Sequence, residues 1–417
     1  MQILSNSAFH KYSFWLPLCL FLLPIVMAII PIIFVIDPRM GLYYTPAVPI
    51  VFILLVIAFA LSNITLKKQI TISANPLHIL IAAVFVAIVG YTTLYVAADA
   101  VYSAQKVFDL MLFVGLCFAS ASIFQRSGHL LVRNTLLAIF AGIVVATLLV
   151  VVQFYFKIPQ YYNWPYFLPG FIYIRIFGFS LTVGIAMGTG LLVLPTLQKR
   201  ADQIVIFASL LGLWAALFWT SSRGGIFSLI LVTPVLAFLI PKLRRGLFVS
   251  LLAMLIGAYL SSMIEAPSSD FGFSNSFTEA GNYQSLNGFS GYRLNEWRLI
   301  LDLIAEKPLF GHGYGQALLV AGDVGVTHAH VHNIVLEAAL SWGWIGAACI
   351  GYLIIRLWFI GMKNTITSNL AESLPALLVV SVLMLYSWVD GIYFYYQALI
   401  PLGICVGALA AKPKQRQ

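Results

Sequence analysis

The chain has 417 residues, of which 61% are hydrophobic and 9% charged, with a mean hydropathy of +0.96 and a formal charge of +9. Soluble domains carry roughly 25% charged residues, so a water-soluble globule is excluded. Apolar runs of about 20 residues, lacking polar alternation, point to membrane-crossing helices rather than a β-barrel. The positive charge does not indicate nucleic acid, because the basic residues sit in short loops between apolar runs.

In chain order the apolar runs predict an all-α polytopic membrane protein with one membrane domain over residues 1–417. Twelve spans are expected at about 15–36, 46–62, 77–97, 106–124, 130–156, 177–198, 203–220, 224–240, 246–264, 333–359, 373–390 and 392–411. The first run follows Lys11 and is too long for a signal-peptide core, so it reads as an uncleaved span. Cys19, Cys117, Cys349 and Cys405 all lie inside apolar runs and form no CxxC pair, which suggests neither a disulfide framework nor a metal site.

Lys and Arg of short loops stay cytoplasmic. With the N-terminus inside, the inner loops hold Lys67, Lys68, Arg126, Lys199, Arg200, Lys242, Arg244, Arg245 and Lys363, and Lys412, Lys414 and Arg416 follow the last span. Of the 14 acidic residues only Asp202 and Glu372 fall inside. Both termini are therefore expected in the cytoplasm, and the long polar segment 265–332, between spans 9 and 10, on the outer face. ATP is absent there, so chemistry on that face must use an already activated substrate.

Before that segment, "KIPQYYNWPYFLPGFIYIR" carries a Tyr/Trp cluster. It reads first as an interfacial aromatic belt and second as a platform for a lipid chain or sugar rings. Next comes Arg223 in "WTSSRGGIFSL", in a tight connection at the outer edge of the membrane. It is either a snorkelling anchor or, beside glycines at a helix N-terminus, an anion site; the second reading is the stronger.

The outer segment starts irregular and rich in Ser, Asn and Gly. It continues "RLNEWRLILDLIAEKPLFGHGYGQ", where Leu294, Trp297, Leu301 and Ile304 recur at helical spacing and Pro308 and Gly311 end an amphipathic helix. On spacing alone, Arg293 at its start is a solvated arginine paired with Glu296.

Three histidines follow at every second position in "HAHVHNIVLEAALSWGWIG". Period two is extended, so His328, His330 and His332 are expected to point one way. A metal site, with His312 as a further ligand, is the weaker reading, since no Cys or paired carboxylates accompany them. His332 is the sharper candidate. It precedes Asn333 at a helix N-terminus, where imidazolium is disfavoured, and a neutral imidazole there can act as general base; the alternative is an interfacial histidine making a structural hydrogen bond. Gly343 lies about three turns on along the same face, and Gly346 one further, where small residues admit a neighbouring helix. Glu337 lies one to two turns into the same span. It is a functional carboxylate or the buried partner of an arginine.

Taken together, these residues resemble the O-antigen ligase family, within the wider superfamily of O-antigen ligases and polymerases. The ligase pattern is His, then Asn, Ser or Gln, nine residues, Gly, two residues, and Gly, Thr or Tyr. It is met by His332, Asn333, Gly343 and Gly346 at the end of the large outer loop. Arg223 in "SSRGG", Arg293 with Trp297, and "KPLFGHGYG" are similar to family segments. Arg175 and Gly178 in "RIFGFSLTVG" match a family arginine segment but lack its following Asn and Pro. The Arg–ten residues–Gly pattern of polymerases is absent after Arg175, Arg223 and Arg293. Related protein-glycosylating ligases usually carry a further soluble domain, whereas this sequence ends "AAKPKQRQ" after the last span.

The resemblance implies a GT-C-like glycosyltransferase of the bacterial inner membrane with a periplasmic active site. Its donor would be an undecaprenyl-diphosphate-linked O-antigen and its acceptor a sugar hydroxyl of lipid A–core. No cofactor, metal or ATP is implied. His332 would be the general base, Arg223 and Arg293 the diphosphate-binding groups with Arg175 a weaker third, and Asn333, Gly343 and Gly346 supporting residues. The remaining roles of His328 and His330 would be supporting or incidental. Two alternatives stay open: an O-antigen polymerase, with the same chemistry on another acceptor, and a transporter or flippase for lipid-linked sugars. The last predicts charges spread through mid-membrane and repeated halves; central charges here are few, and no repeat is visible.

Overall fold

A computed structural model describes residues 16–25, 75–127, 129–156, 168, 174–266, 272–274, 293–322, 330–367 and 371–411. All regular structure among them is helical. In chain order the main helices are α1 (Leu16–Ile25), α2 (Pro76–Tyr91), α3 (Ala100–Ser127), α4 (His129–Phe156), α5 (Ile174–Leu191), α6 (Arg200–Trp219), α7 (Arg223–Leu239), α8 (Arg244–Ser262), α9 (Arg293–Glu306), α10 (Ala317–Ala321), α11 (Ile334–Thr367), α12 (Leu374–Tyr386) and α13 (Tyr396–Ala410).

By length and composition six described helical segments can cross a membrane: Pro76–Val96, Ala100–Gln125, Leu130–Phe156, Arg200–Trp219, Pro241–Ser262 and Ile334–Thr367. Five shorter apolar helices accompany them at α1, α5, α7, α12 and α13. Each of the other predicted spans overlaps one of these helices, the first at residues 16–25 alone; the span expected at 46–62 and the rest of the one at 15–36 lie outside the described residues. So do the aromatic loop apart from Leu168 and Ile174–Arg175, and much of the long segment 265–332. The fold is that of an α-helical polytopic membrane protein. Many large apolar side chains of α2, α3, α7 and α8 face outward, among them Leu80, Val86, Phe118, Phe238 and Phe248. In water that surface would be unfavourable; against lipid it is the expected exterior.

The core forms around α12. Leu374 to Leu383 are all buried, as is Tyr386, so this helix is apolar on every side and enclosed by its neighbours. It packs on α5, α7 and α13, while α6 lies along α8 and α13 along α3. Close approach depends on small residues. A Cβ at Gly190 would lie 2.5 Å from the Cα of Pro375, and one at Gly246 would lie 2.5 Å from the carbonyl of Thr189. The first of these contacts seats the start of α12 against α5.

Two expectations change. The amphipathic helix forms as predicted, but it buries Ile300 and Ile304, with Trp297 and Leu303 partly covered, whereas Leu301 is 44% exposed. Leu294, Trp297 and Ile304 are covered at least in part, as expected, and Ile300 takes the place of Leu301 in the buried stripe. The other concerns α11, which is not one straight helix.

Candidate functional site

The turn carrying His332 is not extended. His332 has φ +56°, in the left-handed region that a non-glycine residue occupies only when its surroundings hold it there. The helix starts after it. Asn333 caps α11, its Oδ1 accepting from the N–H groups of Val335 (2.9 Å) and Leu336 (3.1 Å). This satisfies donors that a helix start leaves open. The same side chain donates through Nδ2 to the carbonyl of Trp388 at 3.0 Å, and the Ile334 N–H donates to that of Ser387 at 2.9 Å. The start of α11 is thus stitched to the corner that follows α12.

That corner supplies a residue not singled out from the sequence. Asp390 Oδ1 lies 3.1 Å from His332 Nδ1, and Asp390 Oδ2 lies 3.6 Å from the Arg293 guanidinium, with all three side chains largely enclosed. Arg293 also donates to the carbonyl of Val389. Its expected partner Glu296 is replaced by the corner after α12. Burial pushes the Asp390 carboxyl up, but the His332 hydrogen bond and the charge of Arg293 outweigh it and hold the group well below the usual carboxylate range. An ionised carboxylate only accepts, so Nδ1 of His332 donates to Asp390.

His330 packs edge-to-face on His332, with ring centroids 4.2 Å apart, and its Nε2 lies 3.1 Å from the Tyr395 hydroxyl. Gly391 makes this possible, because any Cβ there would run into the His330 ring. His328 lies outside the described residues. His312 points elsewhere, its Nε2 lying 2.9 Å from the carbonyl of Leu303. Among the described residues, no group of three or more His, Cys, Asp or Glu side chains is arranged to hold a metal ion.

The Arg223 turn reaches the same corner. Ser221 also has positive φ (+50°) and its Oγ donates to the carbonyl of Gly272 at 2.7 Å. The Ser222 hydroxyl is 2.7 Å from that of Tyr386. A Cβ at Gly224 would lie 2.5 Å from the Tyr386 ring and 3.3 Å from Val389, so the two glycines after Arg223 seat its helix start directly on the end of α12. The start of α5, which carries Arg175, abuts the same place: Phe179 packs against Tyr386 at 5.2 Å and against Tyr395 at 5.6 Å. The side chain of Arg175 lies outside the described residues.

Of the two glycines expected to admit a helix, Gly343 acts differently. Gly343 has φ +66° and ψ 179° and breaks α11. The carbonyls of Leu340 and Ser341 accept instead from the N–H groups of His312 (2.7 Å) and Gly313 (2.9 Å), and the Trp344 N–H donates to the carbonyl of Pro308 at 2.8 Å. A Cβ on Gly343 would overlap the backbone of Leu309. The segment "PLFGHG" is therefore wedged into the break, and Gly343 admits a loop. Gly346 does face a helix, with Ile88 of α2 3.4 Å from where its Cβ would be. Among the described residues Glu337 pairs with no arginine. It is 3% exposed and accepts from the Val331 N–H at 3.1 Å and the Ser341 hydroxyl at 3.4 Å.

Comparison with known proteins agrees with the resemblance read from the sequence. Residues 207–351 match the O-antigen ligase family, a stretch that runs from α6 through Arg223, Arg293 and His332 to the Gly343 break. A stretch of 126 residues is 26% identical to a general O-oligosaccharyltransferase of Acinetobacter baylyi, covering 29% of this chain and 22% of that protein. The chain thus matches less than a quarter of that relative's length.

Proposed function

We propose that the protein is an O-antigen ligase. It transfers a glycan from undecaprenyl diphosphate to a sugar hydroxyl of lipid A–core, at the periplasmic face of the inner membrane. The observation that carries this reading is the His332–Asp390–Arg293 chain at one end of the bundle. An imidazole whose Nδ1 proton is held by an ionised carboxylate is set to accept a second proton at Nε2.

In the proposed step the acceptor hydroxyl attacks the anomeric carbon of the donor while His332 Nε2 takes its proton. The bond from that carbon to the diphosphate oxygen breaks, undecaprenyl diphosphate leaves, and the carbon inverts. The developing charge on the diphosphate needs fixed cations in a dry site. Arg223 and the donors of Arg293 not engaged by the corner are assigned to it, with Arg175 a third candidate. His330, Asn333, Gly343 and Gly346 support the geometry. The reaction uses no nucleotide, and its cations are guanidinium groups of the chain itself. The match to the O-antigen ligase family and the partial likeness to an oligosaccharyltransferase support a glycan-transfer chemistry.

The test uses purified protein, lipid-linked glycan and lipid A–core, with EDTA and no nucleotide, comparing the parent with His332→Ala. Glycan on lipid A–core with the parent and a loss of about 100-fold or more in the variant is the expected result. Longer lipid-linked chains with lipid A–core untouched would make the protein a polymerase. Movement of the donor across a vesicle membrane with no transfer would replace the enzyme by a transporter.

A further inference from the structure

The peptide groups flanking Val331 are held from two sides. Its N–H donates to Glu337 Oε2 of α11 at 3.1 Å, and its carbonyl accepts from the indole Nε1–H of Trp297 of α9 at 3.0 Å. Val331 itself is fully buried, and Glu337 is buried beside it. The next residue is His332, with its left-handed backbone. Such a conformation persists only where neighbouring structure over-determines it. Here both polar groups of the preceding residue are tied to side chains on different helices. One of those helices begins at Arg293, which meets Asp390. The backbone of the histidine turn and the carboxylate that its imidazole bonds are therefore referred to the same helix, α9.

We propose that Glu337 and Trp297 are positioning residues. Together they clamp Val331, set the turn at His332, and so aim its Nδ1 at Asp390 and its Nε2 at the acceptor hydroxyl. The assignment of an acceptor rests on the function proposed above; the clamp itself does not. Glu337 does not touch substrate in this scheme. It is enclosed among Lys106 of α3, Tyr314 of the segment after α9, and Tyr393 of the corner after α12, and its two oxygens are turned to Val331 and Ser341. His332 is faced by Asp390, by Arg293 beyond it, and by His330. The Glu337 carboxylate serves as a hydrogen-bond acceptor, and a glutamine can fill that role. Its carbonyl can take the Val331 N–H while its amide turns to the Ser341 hydroxyl.

Three variants separate this from a general structural role. Glu337→Gln keeps an acceptor at Val331, Glu337→Leu removes it, and Trp297→Phe removes the indole donor while keeping an aromatic ring. The first readout is independent of activity. It is the proton resonance of the His332 imidazole in histidine-labelled protein reconstituted in nanodiscs, identified by its absence in His332→Ala and its shift in Asp390→Asn. The second is the kcat and KM of transfer with the pH profile. In Trp297→Phe and Glu337→Leu the resonance is expected to shift or broaden. Transfer kcat should fall about 10- to 100-fold, as for a misplaced catalytic group, with KM within about twofold and the acid limb moved to lower pH. Glu337→Gln should stay near the parent in all three. An unchanged His332 resonance and pH limb in folded Trp297→Phe and Glu337→Leu overturns the clamp, even if yield or thermal stability drops. Should Glu337→Leu fail to fold, Trp297→Phe decides alone. A resonance that responds in a protein whose parent transfers no glycan leaves the clamp standing and removes the proposed function.

Discussion

Asp390 orients the His332 imidazole and holds the proton on Nδ1. Removing its charge leaves the ring able to flip tautomer, and an amide in place of the carboxylate can present an N–H where an acceptor is needed. Asp390→Asn is therefore expected to reduce transfer by about 100-fold or more, within the range for general-base catalysis, while the protein still folds, since the side chain keeps its shape. The transfer assay on purified variant checks this, and near-parental rates would remove Asp390 from the site. The pH dependence has a definite sign. The carboxyl is depressed in the folded protein, so it binds a proton less readily there than in the unfolded chain. Its stabilising contribution is present above the ordinary carboxylate range of about 4 and is lost as pH falls through the lower folded value. Thermal stability of the parent should thus exceed that of Asp390→Asn above the ordinary carboxylate range, and the part of the margin due to the Asp390 charge should be lost as pH falls below about 4. His332 and Arg223 were legible in the sequence because spacing and helix ends mark them, and Arg293 only through the resemblance to the family. Asp390 was not, because nothing local distinguishes one carboxylate between two apolar runs; only the packing of α12 brings it to His332, 58 residues away in sequence.

Among the elements, α11 and the segment before it depend on each other. The wedge of residues 308–313 supplies the N–H groups that the broken helix needs at Leu340 and Ser341. Buried carbonyls without such partners are costly. Gly343 is the residue that permits the break, and Gly311 answers it with φ +67°. Gly343→Ala adds a Cβ that meets the Leu309 backbone, and the positive φ alone costs roughly 1–3 kcal/mol for a non-glycine residue. A lower thermal midpoint and poorer yield in detergent are expected. Gly351→Ala in the same helix has open space around its Cβ and should be neutral or stabilising by up to about 1 kcal/mol. Equal midpoints for the two variants would mean that the break is not required. The sequence announced the existence of α9 and α11 through their apolar periodicity. It did not announce the break, because Gly343 reads equally as a helix-packing glycine, and a φ of +66° is a tertiary fact. The burial of Ile300 in place of Leu301 on α9 has the same origin: the two are equally apolar, and the facing surface of α11 chooses between them.

At the scale of the whole molecule, the bundle has two chemically different ends. His332, Arg293, Asp390 and the Arg223 turn gather at one. α6 runs toward that end, since its last residues lead straight into the Arg223 turn, so Lys199 and Arg200 at its start lie at the other. Arg245 lies there too, its guanidinium donating to Gln198 at 2.6 Å, beside Lys242 and Arg244. This separation of cations is what the positive-inside rule requires if the His332 end faces the periplasm, and the donor chemistry proposed above needs that sidedness. Cysteine labelling tests it directly. The four native cysteines are replaced, and single cysteines are introduced at Arg298, exposed one turn beyond Arg293, and at Lys199, exposed at the far end. A membrane-impermeant maleimide applied to intact spheroplasts is expected to label the first and to reach the second only after permeabilisation. The reverse pattern would put His332 in the cytoplasm, where nucleotide is available and charged residues of short loops favour the other end. A periplasmic ligase could not work in that orientation, whatever the geometry of its histidine.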